Sequence, residues 1–286
     1  MKSFFYTLIS FAAVALASCN NSSSSQGEDG GGSAFDSLVI PECVVTSPPD
    51  SLHLDPFYTK YVDVNGLPLI SSWRVPDSAF VAAHRTLYAM TCMLPEAVLD
   101  SMVSYGTRIA IMARYEGTTD IPEHHYLVND TSLNWDLRAR GLGGDLELPL
   151  TSCAEENVLA YQIDKYHAED ILVHEFAHSI HLIGFMLAVP DFDTRLKKCY
   201  ENAKAQGILK GTYRETDKEE YFAEAIQDWF NVNAEMDHAD GKHNWCNTRE
   251  ELEDFDKGLY DLIAEYFPKT SMQISKHKKV NEIGRY

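Results

Sequence analysis

The chain has 286 residues, 45% of them hydrophobic and 23% charged, with a formal net charge of −19. That length suits one large globular domain or two small ones, and the composition is ordinary for a packed fold. The acidic balance argues against a nucleic-acid partner, because a phosphate backbone needs clustered Lys and Arg.

The first stretch, MKSFFYTLISFAAVALASC, joins Lys2 to an apolar run from Phe4 to Ala17 and to small residues before Cys19. This is the layout of an export signal, and the run is too short for a typical spanning helix. Leu16-Ala17-Ser18-Cys19 resembles the lipobox of bacterial lipoproteins, which implies cleavage before Cys19 and lipid on its thiol. Residues 1–18 are read as a lipoprotein-type signal peptide, with an ordinary secretory signal as the alternative. Residues 19–35 are rich in Ser and Gly, lack an apolar pattern and read as a flexible tether. Acyl chains on Cys19 would hold an otherwise soluble domain at a bacterial cell envelope, so the expected contact with membrane is through this lipid only. Cys43, Cys92, Cys153, Cys199 and Cys246 remain, an odd number, so at least one is free. Their spacing does not suit a zinc ribbon, and Cys199 with Cys246 is the candidate disulfide.

From Ser37 to about Gln162 the pattern is mixed. YVDVNGLPLI reads as two short strands turning at Asn65-Gly66, with Pro68 marking a sheet edge. PDSAFVAAHRTLYAMTCML has helical spacing, with Asp77 or Ser78 as its cap. TRIAIMARY, from Thr107 to Tyr115, reads as a buried strand, and RARGLGGDLELPLTS as irregular as far as Leu146. ENVLAYQI, from Glu156 to Ile163, reads as a strand close before the next helix.

After Tyr166 the text is mostly helical. AEDILVHEFAHSIHLIGF is a helix with Gly184 near its end, and PDFDTRLKKCYENAKAQG is a second, ending at Gly207. TDKEEYFAEAIQDWFN is a third, opened by a capping box of Thr216 and Glu219, and TREELEDFDKGLYDLIAEYF contains a fourth. Residues 269–286 form a basic tail. Strands and a helix followed by helices give an α+β fold: a small mixed sheet in the N-terminal half, packed on a mostly helical C-terminal half, in one domain over residues 36–268.

HEFAHSIHLIG carries the chemistry. On a helix, His174 and His178 lie one turn apart within about 40° of each other, so both imidazoles reach one metal ion. Glu175 falls to the side, where it can take a proton from a water that zinc has acidified. A third ligand has two candidate sources. His181 lies one turn beyond His178, but the extended motif with a third His on the same helix fails, because Gly184 stands at its last His position. His181 then reads as a supporting or structural residue. The second source is a later helix, on which Glu220 and Glu224 share a face. One of these can bind zinc while the other supports a ligand histidine. Trp229 on that helix reads as a core residue or as the wall of a pocket.

His174-Glu175-x-x-His178 followed by Glu220-Tyr221-Phe222-Ala223-Glu224 resembles the gluzincin zinc proteases, in particular the catalytic domain of anthrax lethal factor and the clostridial Pro-Pro endopeptidases. The resemblance covers roughly Glu156 to Asn233. It implies a zincin-like fold, Zn2+ held by His174, His178 and Glu220, and Glu224 as a supporting residue. It also implies catalytic roles for Glu175 and for Tyr213, seven residues before Glu220, whose hydroxyl would stabilise the oxyanion. RARGLGG, EENVLAY and NTREEL are similar to segments of secreted bacterial and fungal proteins that carry the same His-Glu-Phe-Ala-His helix.

The resulting expectation is an exported, lipid-anchored zinc metallopeptidase acting on a peptide or protein substrate. ENVLAYQI is then the edge strand along which an extended peptide pairs. The alternative is a zinc-containing binding or adhesion lipoprotein without catalysis.

Overall fold

The computed structural model describes residues 38–166 and 168–270. The signal peptide, the tether with Cys19, and the tail from residue 271 onward lie outside the described residues.

Strands β1 (Lys60–Val64) and β2 (Leu67–Ser71) form the expected hairpin. Its two turn residues have positive φ, 53° at Asn65 and 86° at Gly66, which is what a two-residue turn matched to the strand twist demands. Helices α1 (Asp77–Thr91) and α2 (Glu96–Tyr105) follow, then β3 (Arg108–Met112). A short α3 (Trp135–Arg138) leads into β4 (Gly141–Leu142), β5 (Leu150–Ala154) and a single turn, α4 (Glu155–Val158). The strands make one sheet in the order β1-β2-β3-β5-β4. β2, β3 and β5 are parallel, and β1 and β4 run antiparallel at the two edges.

Alternation along β3 divides the core. Ile109 and Ile111 face the helices, while Ala110 and Met112 join Tyr58, Ile121 and Leu150 on the other side. The larger side takes Leu172, Val173, Phe176, Ala177 and Ile180, which fixes α5 (Ile171–Ser179) against the sheet. Each fully buried Leu, Ile or Phe of this kind contributes about 1.5–3 kcal/mol.

The helix continues past α5 through a π-helical turn, Ile180–Phe185, and α6 (Met186–Ala188). Ile171–Ala188 is apolar enough to cross a membrane, but 72% of it is buried inside the fold, so it is a core helix. Gly184 lets α2 come close: a Cβ there would lie 2.8 Å from Val98 Cγ1. Then come α7 (Phe192–Gln206), α8 (Lys218–Trp229), α9 (Arg249–Phe255) and α10 (Lys257–Ala264). Gly207, at φ 74°, closes α7 in the left-handed conformation that glycine adopts without strain. The architecture is α+β, as the sequence suggests.

Several local expectations are corrected. ENVLAYQI is not a strand: it opens with α4 and turns at Ala160, whose φ is 53°. The strand before it is Leu150–Ala154, buried throughout. Pro68 is not on an edge strand. It pairs with Asp63, one residue ahead of the first β2–β3 partners, Leu69 and Ile109, so its missing N–H breaks no rung. The N-cap of α1 is Pro76, without a side-chain cap; Asp77 lies in the first turn, 2.6 Å from Lys60 Nζ. The α8 cap is Asp217 rather than Thr216, and the reciprocal box expected there is found at Thr248 and Glu251 of α9. The fourth predicted helix is two, separated at Asp256, whose carboxylate accepts the Leu259 N–H and caps α10. Cys199 and Cys246 are free thiols and form no pair. Trp229 is fully buried and donates to the Pro268 carbonyl, so it belongs to the core.

Candidate metal centre

Two caps set the helices that meet at the centre. Asp170 accepts the Val173 N–H at the start of α5, and Asp217 accepts the Glu220 N–H at 2.8 Å at the start of α8. The apolar side of α5 faces the sheet, which turns His174 and His178 toward α8. The first turn of α8 brings Glu220 to them. Its Oε2 lies 3.0 Å from His174 Nε2 and 3.5 Å from His178 Nε2. One ligand atom from each of the three residues lies within 4.8 Å of the others, so together they could hold a metal ion. Glu220 keeps 16% of its side chain exposed, which leaves one side of the group open.

The hydrogen bonds around His174 fix its tautomer. Gln227 Nε2 donates to the Asp170 carbonyl at 3.1 Å, so Gln227 Oε1 is an acceptor. It lies 2.9 Å from His174 Nδ1, which therefore carries a proton. The Nε2 lone pair of a neutral His174 then points at the Glu220 carboxylate, an arrangement that needs a cation between them or a second proton on the ring. Burial opposes the His174 imidazolium, but the Glu220 carboxylate outweighs burial and holds its pKa well above 6.5. The same carboxylate raises His178 against its burial. Glu220 answers in kind: burial works to raise it, yet the two imidazoles hold it far below the usual carboxylate range. Two nitrogens and a carboxylate arranged around positive charge, with the far nitrogen of one ring hydrogen-bonded, form a donor set that could hold a divalent metal ion.

Glu175 projects beside the histidines. Burial raises its pKa, while His174 and His178 pull it down. Tyr213 enters from a 3-10 turn, Tyr213–Glu215, and donates to Glu220 Oε1 at 2.9 Å. Burial and then Glu220 push its phenol above the ordinary tyrosine range, so it stays protonated as a donor. Its own N–H is held by the Lys242 carbonyl at 2.7 Å.

Glu220, Glu224 and Asp228 descend one face of α8 at four-residue steps. Glu224 lies 3.7 Å from His174 Nδ1, but it is Asn233 that donates to it, at 3.1 Å, and the bond to Nδ1 belongs to Gln227. Asp228 is paired with the buried Arg214, whose Nη1 is 2.5 Å from Oδ2. Behind this column, Glu169 and His243 meet at 3.3 Å, and with Glu224 they form a second group that could hold a metal ion. His181 is turned away, onto α7: its Nε2 lies 3.1 Å from Asp193 Oδ1, between the rings of Phe192 and Phe222.

Two residues near the centre escaped the sequence reading. Gln227 sits three residues after Glu224, on the same face of α8, and an amide on an otherwise buried stripe was the available signal. Tyr166 is half-buried, and burial, Glu169 and Glu175 push its phenol up to about 12; nothing in its local sequence distinguishes it from a core tyrosine.

No protein-family model matches the chain, and no curated protein matches it. Among solved structures it is similar to the Pro-Pro endopeptidase of Paenibacillus alvei, at 20% identity and a TM-score of 0.43, over 69% of this chain and 95% of that one. At that level the likeness carries no weight for the chemistry, and the candidate metal centre stands on the geometry of α5 and α8.

Proposed function

We propose that the chain is a zinc metallopeptidase that hydrolyses peptide bonds. The observation that carries this reading is the meeting of His174, His178 and Glu220, with the His174 tautomer fixed by Gln227. Zinc bound there would polarise a water and a peptide carbonyl, which is the chemistry that makes hydrolysis accessible near neutral pH. Glu175 would accept the water proton and return it to the leaving amine; burial raises its pKa toward the range such a shuttle needs. Tyr213 would turn its hydroxyl from Glu220 to the developing oxyanion, a donor role that its protonated state supports. Gln227 would hold His174, and Glu224 would keep Asn233 and Arg214 at the base of α8.

The substrate strand also has a candidate. ENVLAYQI is helical at its start, but β4 is the edge strand beyond β5 among the described residues, and it lies against α5. A Cβ at Gly141 would meet Glu175 Cγ at 3.1 Å, and one at Gly143 would meet His178 Cβ at 2.7 Å. An extended peptide added to β4 would therefore pass over the metal ligands. The export signal and the lipid on Cys19 belong to this proposal on sequence grounds alone.

The test is metal content by mass spectrometry on purified wild type and Glu220→Ala. About one zinc per chain in wild type, lost in the variant, is expected. No zinc in either protein after metal is added back would end the reading.

A further inference from the structure

His181 supplies no atom to the metal group, yet its setting is unusual for a core residue. It stands in the π-helical turn that continues α5, a rare geometry that recurs at functional sites. Its ring is fully buried between those of Phe192 and Phe222, and Nδ1 has no hydrogen-bond partner among the described residues. An apolar side chain would fill the same space without leaving a buried nitrogen unpaired. What the imidazole adds is a bond from Nε2 to Asp193 Oδ1, at 3.1 Å; the carboxylate only accepts, so Nε2 carries the proton.

The same oxygen takes a second bond. Lys218 Nζ donates to Asp193 Oδ1 at 2.5 Å and to Glu219 Oε1 at 2.8 Å. Asp193 is in the first turn of α7, and Lys218 is the first residue of α8, two before Glu220. One carboxylate thus ties the helix of His174 and His178 to the helix of Glu220, in addition to the direct meeting of those three residues. The Asp217 cap fixes Glu220 relative to its own helix, and the Asp193 bridge fixes that first turn relative to the helix of the histidines.

The bridge is a weak source of stability. The Lys218 and Asp193 side chains are 20% and 36% exposed, and ion pairs so placed contribute little. Position is another matter, because a ligand group held about 0.5 Å out of place binds its metal poorly. Resting on the metal centre of the peptidase reading, we propose that His181 and Asp193, acting through Lys218, are positioning residues that set Glu220 against His174 and His178.

One substitution separates position from charge by its sign. Lys218→Met removes a cation two residues from Glu220, and by charge alone the centre would then bind a divalent ion more tightly. Loss of position predicts the reverse. The test uses the full chain, stripped of metal, for wild type, Lys218→Met, Asp193→Ala and Arg195→Gln. The last removes an α7 ion pair made with Glu265 rather than with α8. Zinc affinity is read by competition with a chelator, and ligand geometry by the visible spectrum of bound cobalt(II), which changes with coordination.

Zinc affinity should fall about tenfold in Lys218→Met, the lower end of the cost of losing a partner that orients a ligand, and by at least as much in Asp193→Ala. Both cobalt spectra should depart from wild type. Arg195→Gln should match wild type in affinity and spectrum, and the metal-free thermal midpoint of Lys218→Met should stay close to its own. Wild-type affinity and spectrum in Lys218→Met, or tighter binding there, overturns the inference. An equal change in Arg195→Gln also overturns it, since that reports general loosening. If Asp193→Ala does not fold, Lys218→Met decides alone. Wild type that takes up neither zinc nor cobalt overturns this inference and the peptidase reading together. Metal uptake that follows these variants in a protein that cuts no peptide ends the peptidase reading alone.

Discussion

Gln227, two turns along α8 from Glu220, accepts the Nδ1 proton of His174 at 2.9 Å. The helix that delivers the candidate carboxylate ligand thus also orients a candidate imidazole ligand. Gln227→Leu leaves a buried N–H without a partner and frees the ring to turn. Metal affinity should fall about 10–100-fold, the usual cost of losing such a partner, as read by competition with a chelator. Unchanged affinity would mean that the ring is held by packing alone.

Glu175→Gln keeps the shape of the side chain and removes its ability to carry a proton. Zinc content should stay at the wild-type level while peptide hydrolysis falls about 10²–10⁴-fold. Loss of the metal would instead make Glu175 part of the binding set.

Tyr213→Phe removes the hydroxyl that Glu220 holds. The expected loss is in kcat, about 10²–10³-fold, with KM and metal content close to wild type. A loss confined to KM would place the hydroxyl on the ground-state peptide.

Gly143 has no room for a side chain, since a Cβ there would meet His178 at 2.7–3.0 Å. Gly143→Ala should destabilise the fold by about 1–3 kcal/mol and weaken metal binding by displacing His178. Thermal unfolding of the two proteins measures the first effect, and chelator competition the second.

The ion pair of Glu169 and His243 makes stability depend on pH in a defined window. Burial opposes the charge on His243, but Glu169 raises its pKa above 6.5, so its contribution is complete below 6.5 and is lost as pH rises through the raised value. Burial likewise opposes Glu169, but His243 lowers it below 4.5, so its contribution is complete above 4.5 and is lost as pH falls through the lowered value. The deficit of His243→Gln relative to wild type should be largest between about pH 4.5 and 6.5 and should shrink at alkaline pH. Thermal midpoints of both proteins across that range decide it; a deficit that grows with alkalinity contradicts the pairing.

The centre was legible because its signals are local. His174 and His178 need only helical spacing to converge; spacing alone left Glu220 and Glu224 as equal candidates on the later helix, and the choice of Glu220 came from the family resemblance. The hairpin at Asn65-Gly66 was legible for the same reason, since its turn demands positive φ. The misreadings fall where tertiary context decides. Val158, Leu159 and Tyr161 look like a strand, yet the chain has just left Leu150–Ala154 in the sheet and turns at Ala160. Leu150–Ala154 itself is buried at every position, so it shows no alternation, and α4 begins directly after it. Asp256 looks like one more acid in a helical run until its side chain closes on Leu259. Gln227 matters only because α8 lies across α5, a crossing that no window of sequence contains.

The tie between α5 and α8 also sets an order of events in synthesis. His174 meets Glu220 across 46 residues, and Val232 beyond α8 supplies the carbonyl that holds the Asp170 N–H at the head of α5. A growing chain that has released only the first helix carries two histidines and no third donor. The three residues come together only when the second helix has emerged and docked, so a metal ion taken by this candidate centre would be held tightly only late, by a chain that is already nearly folded.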